Sequence, residues 1–166
     1  TSRIIICGQG TGGWIATCLN SVDKLAELQI PKFLDAVTAQ PLLDTAIEGD
    51  WFGYGGSPTN NMENHKGYSS AHDMILNMGG AIGDLSWLEA GDKPIVAVHG
   101  NLDAVARFTT GNLTTTGVNV VSDISGSHDV IAKANMLGNN NSVPDLYDPY
   151  TIAAKKASNN LIGTTD

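Results

Sequence analysis

An apolar strand pattern, a glycine-rich turn and a helix pattern follow one another at the start of the chain. Residues 3–7 read RIIIC, a β-branched apolar run, and the turn GQGTGG follows at 8–13. Residues 14–28 then carry apolar side chains at helical spacing. The sequence therefore predicts a buried strand, a tight glycine turn and a helix that covers the strand.

The rest of the chain alternates strand and helix patterns. Further strands are predicted at 73–78, 94–98 and 117–124, and helical segments at 86–90, 129–137 and 149–161. Such alternation favours an α/β fold with a mostly parallel sheet and helices on both faces. The loops that follow residues 7, 78, 98 and 124 should then meet at one edge of the sheet and build the site.

Length and composition predict one domain over residues 1–166. The chain is 42% hydrophobic and 16% charged, which is typical of a globular protein able to bury a core. One segment interrupts the alternation, because residues 35–70 are dense in Gly, Asn, Pro and Asp. We expect this segment to form a long surface excursion.

Charge and motif content exclude several classes of protein. A net charge of -8 with only nine basic residues argues against a nucleic-acid partner. No apolar run reaches the roughly 18 to 20 residues of a membrane span, so we expect no transmembrane segment. Cys7 and Cys18 are expected to be small buried side chains, and without C-x-x-C or H-E-x-x-H we expect no metal and no cofactor. The abundance of Asn, Gly and Thr favours a secreted or cell-surface location.

The turn GQGTGG matches two motifs with different chemistry. Read as G-x-G-x-x-G (Gly8, Gly10 and Gly13), it is a dinucleotide-binding turn. Read as G-x-S-x-G, it is the strand-turn-helix elbow that carries a nucleophilic serine, with Gly10 in the place of that serine. The first interpretation requires an acidic residue at the end of a second strand, where this chain has a helix end and Pro31. A dinucleotide-binding oxidoreductase is therefore the weakest alternative.

Two predicted strand exits carry an acid and a histidine. The loop HGNLD ends in Asp103, and the loop SGSHD contains His128. The order nucleophile, acid, histidine along a chain is that of the α/β-hydrolases, in which the carboxylate fixes the tautomer of the histidine base. The structural alternatives are that Asp103 caps a helix and that His128 bonds to backbone. His99 is expected to be a buried residue that supports the acid loop.

On these segments the chain resembles the C-terminal part of secreted α/β-hydrolases of the esterase/lipase type, in a subgroup associated with Bacteroidota. The resemblance rests on SRIIICGQGTGGWIATCLN, on GYSSAHDMILNMGGAIGDLSWLEAGDKPIVAVHGNLD and on GSHDVIAKANMLGNN. It implies a small ester or acyl ligand, Asp103 as the acid and His128 as the base. It also implies that the backbone N–H of Thr11 is an oxyanion donor.

Two departures from the family pattern change what we expect. Gly10 has no side chain, so we predict a carboxylic-ester hydrolase homologue that is catalytically inactive. The alternatives are an active secreted esterase/lipase, if position 10 is really serine, and a non-enzymatic surface or assembly protein. The families also place several strands before the elbow. We therefore expect N-terminal strands to be absent from this chain and supplied by a longer protein or a partner chain.

Overall fold

The structure is a computed structural model that describes residues 3–43, 69, 71–144 and 148–157. The chain divides into two compact units, one formed by Thr1–Val22 with His72–Asp166 and the other by Asp23–Ala71. The first unit combines a three-strand parallel sheet, packed against helices, with a separate antiparallel sheet. The fold is therefore mixed α/β. The predicted parallel sheet is present with three strands, and the separate antiparallel sheet was not predicted.

The elements of the first unit are few and short. The strands are β1 Ile5–Gln9, β2 Met74–Met78, β3 Ala81–Ile82, β4 Ile95–Val98, β5 Gly111–Thr115 and β6 Val118–Gly126, and the helices are α1 Thr11–Ser21, α2 Ser127–Met136 and α3 Pro149–Ala157. A single 3-10 turn, Leu85–Trp87, lies in the predicted short helical segment before β4. The predicted strands at 73–78 and 94–98 are confirmed.

The parallel sheet has the strand order β1-β2-β4. Its register pairs Gln9 with Met78 and Met78 with Val98, so the three strands end level with one another. Two further backbone bonds continue the ladder past the strand ends, from Gly10 N to Met78 O at 2.9 Å and from Gly79 N to Val98 O at 2.8 Å. The exits of these three strands therefore meet at one edge, as predicted.

One face of this sheet contributes to the core. The register places Ile6, Ile75 and Ile95 in one row, and Ile75 and Ile95 are 0% and 1% exposed. The next row on the same face contains Asn77, and α1 packs there through Thr17. Side chains alternate between faces in a strand, so this row and the one before it point to the same side.

The opposite face of the sheet is largely exposed. Ile5 is 51% and Val98 66% exposed, and Cys7 is exposed as well. The prediction that Cys7 is buried is wrong, because alternate residues of β1 point to this face. Cys18, on α1, is partly buried. Burial raises the pKa of its thiol to about 11 against a smaller opposing effect of the Gly83 backbone, so the thiol is protonated at neutral pH.

The strand predicted at 117–124 does not extend the parallel sheet. It is β6, which pairs antiparallel with β5 and β3 in the second sheet. The turn between β5 and β6 consists of Thr116 and Gly117, both with positive φ, as in a type I′ hairpin. A parallel connection needs a crossover of a dozen or more residues, so this turn allows only antiparallel pairing.

The helix predicted at 14–28 ends at Ser21. The Glu27 carboxylate accepts hydrogen bonds from the backbone N–H groups of Asp23 at 2.9 Å and Lys24 at 2.8 Å. The bond to Lys24, the N-cap residue, is part of a capping box that marks the start of a separate 3-10 helix, Leu25–Gln29. The apolar spacing is therefore divided between two helices.

The second unit contains little regular structure in its described part. A 3-10 helix, Pro31–Phe33, is followed by an isolated antiparallel bridge between Leu34 and Pro41. Most of the excursion predicted at 35–70 lies outside the described residues.

Alanine substitutions at two adjacent glycines of α1, Gly12 and Gly13, should have different effects on the free energy of unfolding. A Cβ at Gly13 would lie 2.5 Å from Asn77 Oδ1 and 3.2 Å from Gly80 Cα, whereas one at Gly12 would meet nothing within 4 Å. We expect Gly13→Ala to lower the free energy of unfolding by about 1 to 3 kcal/mol. Gly12→Ala should leave it equal or raise it by up to about 1 kcal/mol. Urea unfolding of both variants tests this, and equal stabilities would contradict the packing.

Candidate functional site

The turn between β1 and α1 has a conformation that only glycine adopts easily. Gly10 has φ 54° and ψ −119°, and α1 begins at the next residue. A Cβ at Gly8 would collide with the backbone carbonyl of Gly12, so the two ends of the turn approach closely. A Cβ at Gly10 would meet nothing within 4 Å. The apex of the turn therefore has room for a side chain that the sequence does not supply.

Helices α1 and α2 both contact the loop that follows β2, at Gly80. A Cβ on Gly80 would lie 2.6 Å from the Gly13 carbonyl carbon, so the first turn of α1 packs directly on this glycine. The Ser127 hydroxyl, at the first residue of α2, donates to the Gly80 carbonyl at 3.2 Å. The turn that carries Gly10 and the helix start that carries His128 are therefore both anchored to one loop.

Asp103 lies in the loop after β4 and uses both carboxylate oxygens locally. Oδ1 accepts from the backbone N–H groups of Val105 at 2.8 Å and Ala106 at 3.1 Å. Oδ2 lies 3.5 Å from His99 Nε2, which is 2.9 Å from the Ala106 carbonyl oxygen. The His99 side chain is 1% exposed, which confirms the expectation that this histidine is buried and supports the acid loop.

A buried hydroxyl connects this loop to α2. Ser127 Oγ lies 2.8 Å from His99 Nδ1 as well as 3.2 Å from the Gly80 carbonyl oxygen. Ser127 is 2% exposed, so its hydroxyl needs these partners in place of water. The exits of β2 and β4 and the start of α2 therefore share one hydrogen-bonded junction.

His128 is the second residue of α2 and stands at the surface of this junction. Its backbone N–H donates to the Phe108 carbonyl at 3.1 Å, and its side chain is 48% exposed. Its Nδ1 lies 2.8 Å from Asp129 Oδ1. The structure thus places Asp103 beside His99 and His128 beside Asp129, and a joint role of Asp103 and His128 stays a prediction.

Asp129 is the acidic residue that sequence reasoning missed. Its Oδ2 accepts from Thr110 twice, from the backbone N–H at 2.6 Å and from the hydroxyl at 2.7 Å. Burial raises the pKa of Asp129, but the hydrogen bonds from His128 and Thr110 outweigh burial and hold the pKa below its ordinary value. The sequence feature that could have indicated this contact is that His128 and Asp129 are adjacent in SGSHD.

Thr11 opens α1 and is exposed. The first N–H groups of a helix lack acceptors within the helix and carry partial positive charge, so they suit a developing oxyanion. The role of the Thr11 N–H as an oxyanion donor stays a prediction. Over residues 3–43, 69, 71–144 and 148–157, no group of three or more His, Cys, Asp or Glu side chains is placed to hold a metal ion. No helix in those ranges is long and apolar enough to cross a membrane.

The chain was compared with known protein families, curated proteins and solved structures. No family model, no curated protein and no solved structure matches the chain.

Thr110 should control the ionisation of Asp129. The folded-state pKa of Asp129 is lowered, so its ionised form stabilises the fold above the unfolded-state pKa, and this contribution is lost as pH falls through the folded-state pKa. We expect Thr110→Val to raise the pKa of Asp129 by removing one of its donors. Carbon-detected NMR titration of the carboxyl group measures the change. Thr114→Val is the matched control, and an equal midpoint in wild type and Thr110→Val would contradict the assignment.

Proposed function

We propose that the protein is an α/β-hydrolase-type domain related to secreted carboxylic-ester hydrolases, in which Gly10 stands in the place of the nucleophile. In this proposal it binds an ester or acyl ligand at the edge where the parallel strands end, and it does not form an acyl-enzyme. A secreted or cell-surface location is part of the same proposal and rests on composition alone.

The observation that carries the proposal is the geometry at Gly10. A nucleophile elbow is a sharp, strained turn from a strand into a helix, with its central side chain exposed. Here the turn runs directly from β1 into α1, its apex has a positive φ, and a side chain there would project into open space. A Cβ at Gly8 would collide with the Gly12 carbonyl, which accounts for the first glycine of the motif.

The order of the loops supports the same assignment. The turn at Gly10 follows β1, Asp103 lies in the loop after β4, and His128 is the second residue of α2, which follows β6 directly. Along the chain this is the order nucleophile, acid, histidine of the α/β-hydrolases. Two of these strands belong to one parallel sheet, and their ends lie at one edge. The start of α2, which carries His128, joins this edge through the contact of Ser127 with Gly80.

The consequence for chemistry follows from the missing hydroxyl. Serine hydrolysis needs an oxygen nucleophile whose proton passes to a histidine. Gly10 supplies no such oxygen, and the Thr11 side chain belongs to the next residue, which points elsewhere at an elbow. What remains is His128 as a proton acceptor and the Thr11 N–H as a donor to a carbonyl or carboxylate oxygen. These groups suit binding of an ester or of a carboxylate product.

A non-enzymatic assembly role is the second candidate. One observation favours it, namely the exposed apolar face of the parallel sheet around Ile5 and Val98. Such a face is suited to further strands or helices of a longer protein or of a partner chain. Nucleotide binding has less support. β2 ends at Met78 and leads into Gly79 and Gly80, where a dinucleotide site would place an acidic residue.

Restoring the hydroxyl tests the proposal. We expect Gly10→Ser to release a burst of nitrophenol from p-nitrophenyl acetate and to carry an acetyl group on residue 10, detected by peptide mass spectrometry. Gly10→Ala is the matched control, because both substitutions strain the positive φ by about 1 to 3 kcal/mol and only one adds an oxygen. The rate of nitrophenol release by Gly10→Ser should exceed that of Gly10→Ala by roughly 10²-fold or more.

The wild-type protein should show neither burst nor acetylation. If Gly10→Ser folds as well as Gly10→Ala and still takes up no acetyl group, the elbow interpretation is wrong. The assembly role would then be the better candidate.

A further inference from the structure

The imidazoles of two acid–imidazole pairs both contact one aromatic ring. The Phe108 ring meets the His99 ring edge-on, with centroids 5.8 Å apart, and meets the His128 ring at 5.3 Å with a tilt of 53°. The Asp103 carboxylate lies 3.5 Å from the His99 ring, and the Asp129 carboxylate lies 2.8 Å from the His128 ring. The two pairs differ in exposure, because the His99 side chain is 1% exposed and that of His128 48%.

The His128 ring is held on one side and open on the other. Its Nδ1 is 2.8 Å from Asp129 Oδ1, and the Phe108 ring packs against it. An ionised carboxylate only accepts hydrogen bonds, so Nδ1 must carry the proton of the neutral ring. The lone pair is then on Nε2, the nitrogen that can accept a proton from a ligand or from water.

Asp129 is itself held in place. The two Thr110 donors bind Oδ2, so Oδ1 is the oxygen left for His128. The low pKa of Asp129 agrees with this arrangement, since it keeps the carboxylate ionised at neutral pH. A base held by an oriented carboxylate is the arrangement that histidine catalysis requires.

Both carboxylate oxygens of Asp103 have partners other than His128. One of its oxygens closes the loop through the N–H groups of Val105 and Ala106, and the other faces the buried ring of His99. We propose that Asp129 is the positioning residue that sets the tautomer of His128 and leaves its Nε2 free as the base of the site. This assignment departs from the chain order of the α/β-hydrolases, which favours Asp103, because Asp129 follows His128 in the chain. Naming His128 the base rests on the proposed function, whereas the tautomer assignment stands on the contacts of the ring.

The tautomer of His128 is a direct test. We would record the ring nitrogen shifts of the ¹⁵N-labelled full chain above the titration range of histidine. The chain has four histidines, so the His128 signals are assigned by their loss in His128→Gln. We expect wild-type His128 to be protonated on Nδ1, whereas imidazole in water favours Nε2. Protonation of His128 on Nε2 in the wild type would overturn the proposal.

Two amide substitutions separate the two acids. In Asp129→Asn, the Thr110 donors should hold the amide oxygen, so the amide nitrogen faces His128 Nδ1 and donates to it. We therefore expect His128 to move its proton to Nε2 in Asp129→Asn and to keep it on Nδ1 in Asp103→Asn. The reverse result would assign the positioning role to Asp103.

A kinetic measurement links the tautomer to the proposed chemistry. In the Gly10→Ser protein, adding Asp129→Asn should slow acetylation of residue 10 by roughly 10²- to 10⁴-fold, because Nε2 no longer accepts the serine proton. An unchanged rate would overturn the role of Asp129. Failure of Gly10→Ser to react at all would instead count against the proposed function, and the tautomer result would stand.

Discussion

The buried amide of Asn77 holds the site together. Its Nδ2 donates to Thr17 Oγ1 at 3.1 Å and its Oδ1 accepts from Gly80 N at 2.7 Å, while the Thr17 hydroxyl donates to the Gly13 carbonyl at 2.8 Å. Asn77 is fully buried, and an unpaired amide there would cost several kcal/mol. The side chain of β2 thereby joins the first turns of α1 to the β2 exit loop. The turn after β1 and the start of α2 both contact this exit loop at Gly80.

The same packing holds the turn that carries Gly10. The turn is determined by the close backbone contacts of Gly8 with Gly12 and of Gly13 with Gly80. None of these contacts involves a side chain at position 10. A glycine there also relieves the strain that a larger residue would bear at positive φ. In the proposed function, loss of the serine removes the chemistry and leaves the geometry of the site intact.

Much of the parallel sheet could be predicted because its strands are continuous apolar runs with glycine-rich exits. β2 and β4 lie where the pattern places them, and the polar residues of the site follow strand ends as expected. β5 was missed because its sequence, GNLTT, is mostly polar and half-exposed. The Asp129 contact was missed because the Thr110 donors that orient this carboxylate come from another part of the chain.

The sequence by itself determined the local elements and the turn, because apolar periodicity and glycine act over a few residues. It determined which residue types lie just past the strand ends, including Gly10, Asp103 and His128. Only the tertiary structure decided which strands pair, since pairing depends on the length of connections and on which faces become buried. Only the tertiary structure decided which carboxylate meets which imidazole. Hydrogen bonds between distant segments depend on separations of a few tenths of an ångström that no spacing along the chain specifies.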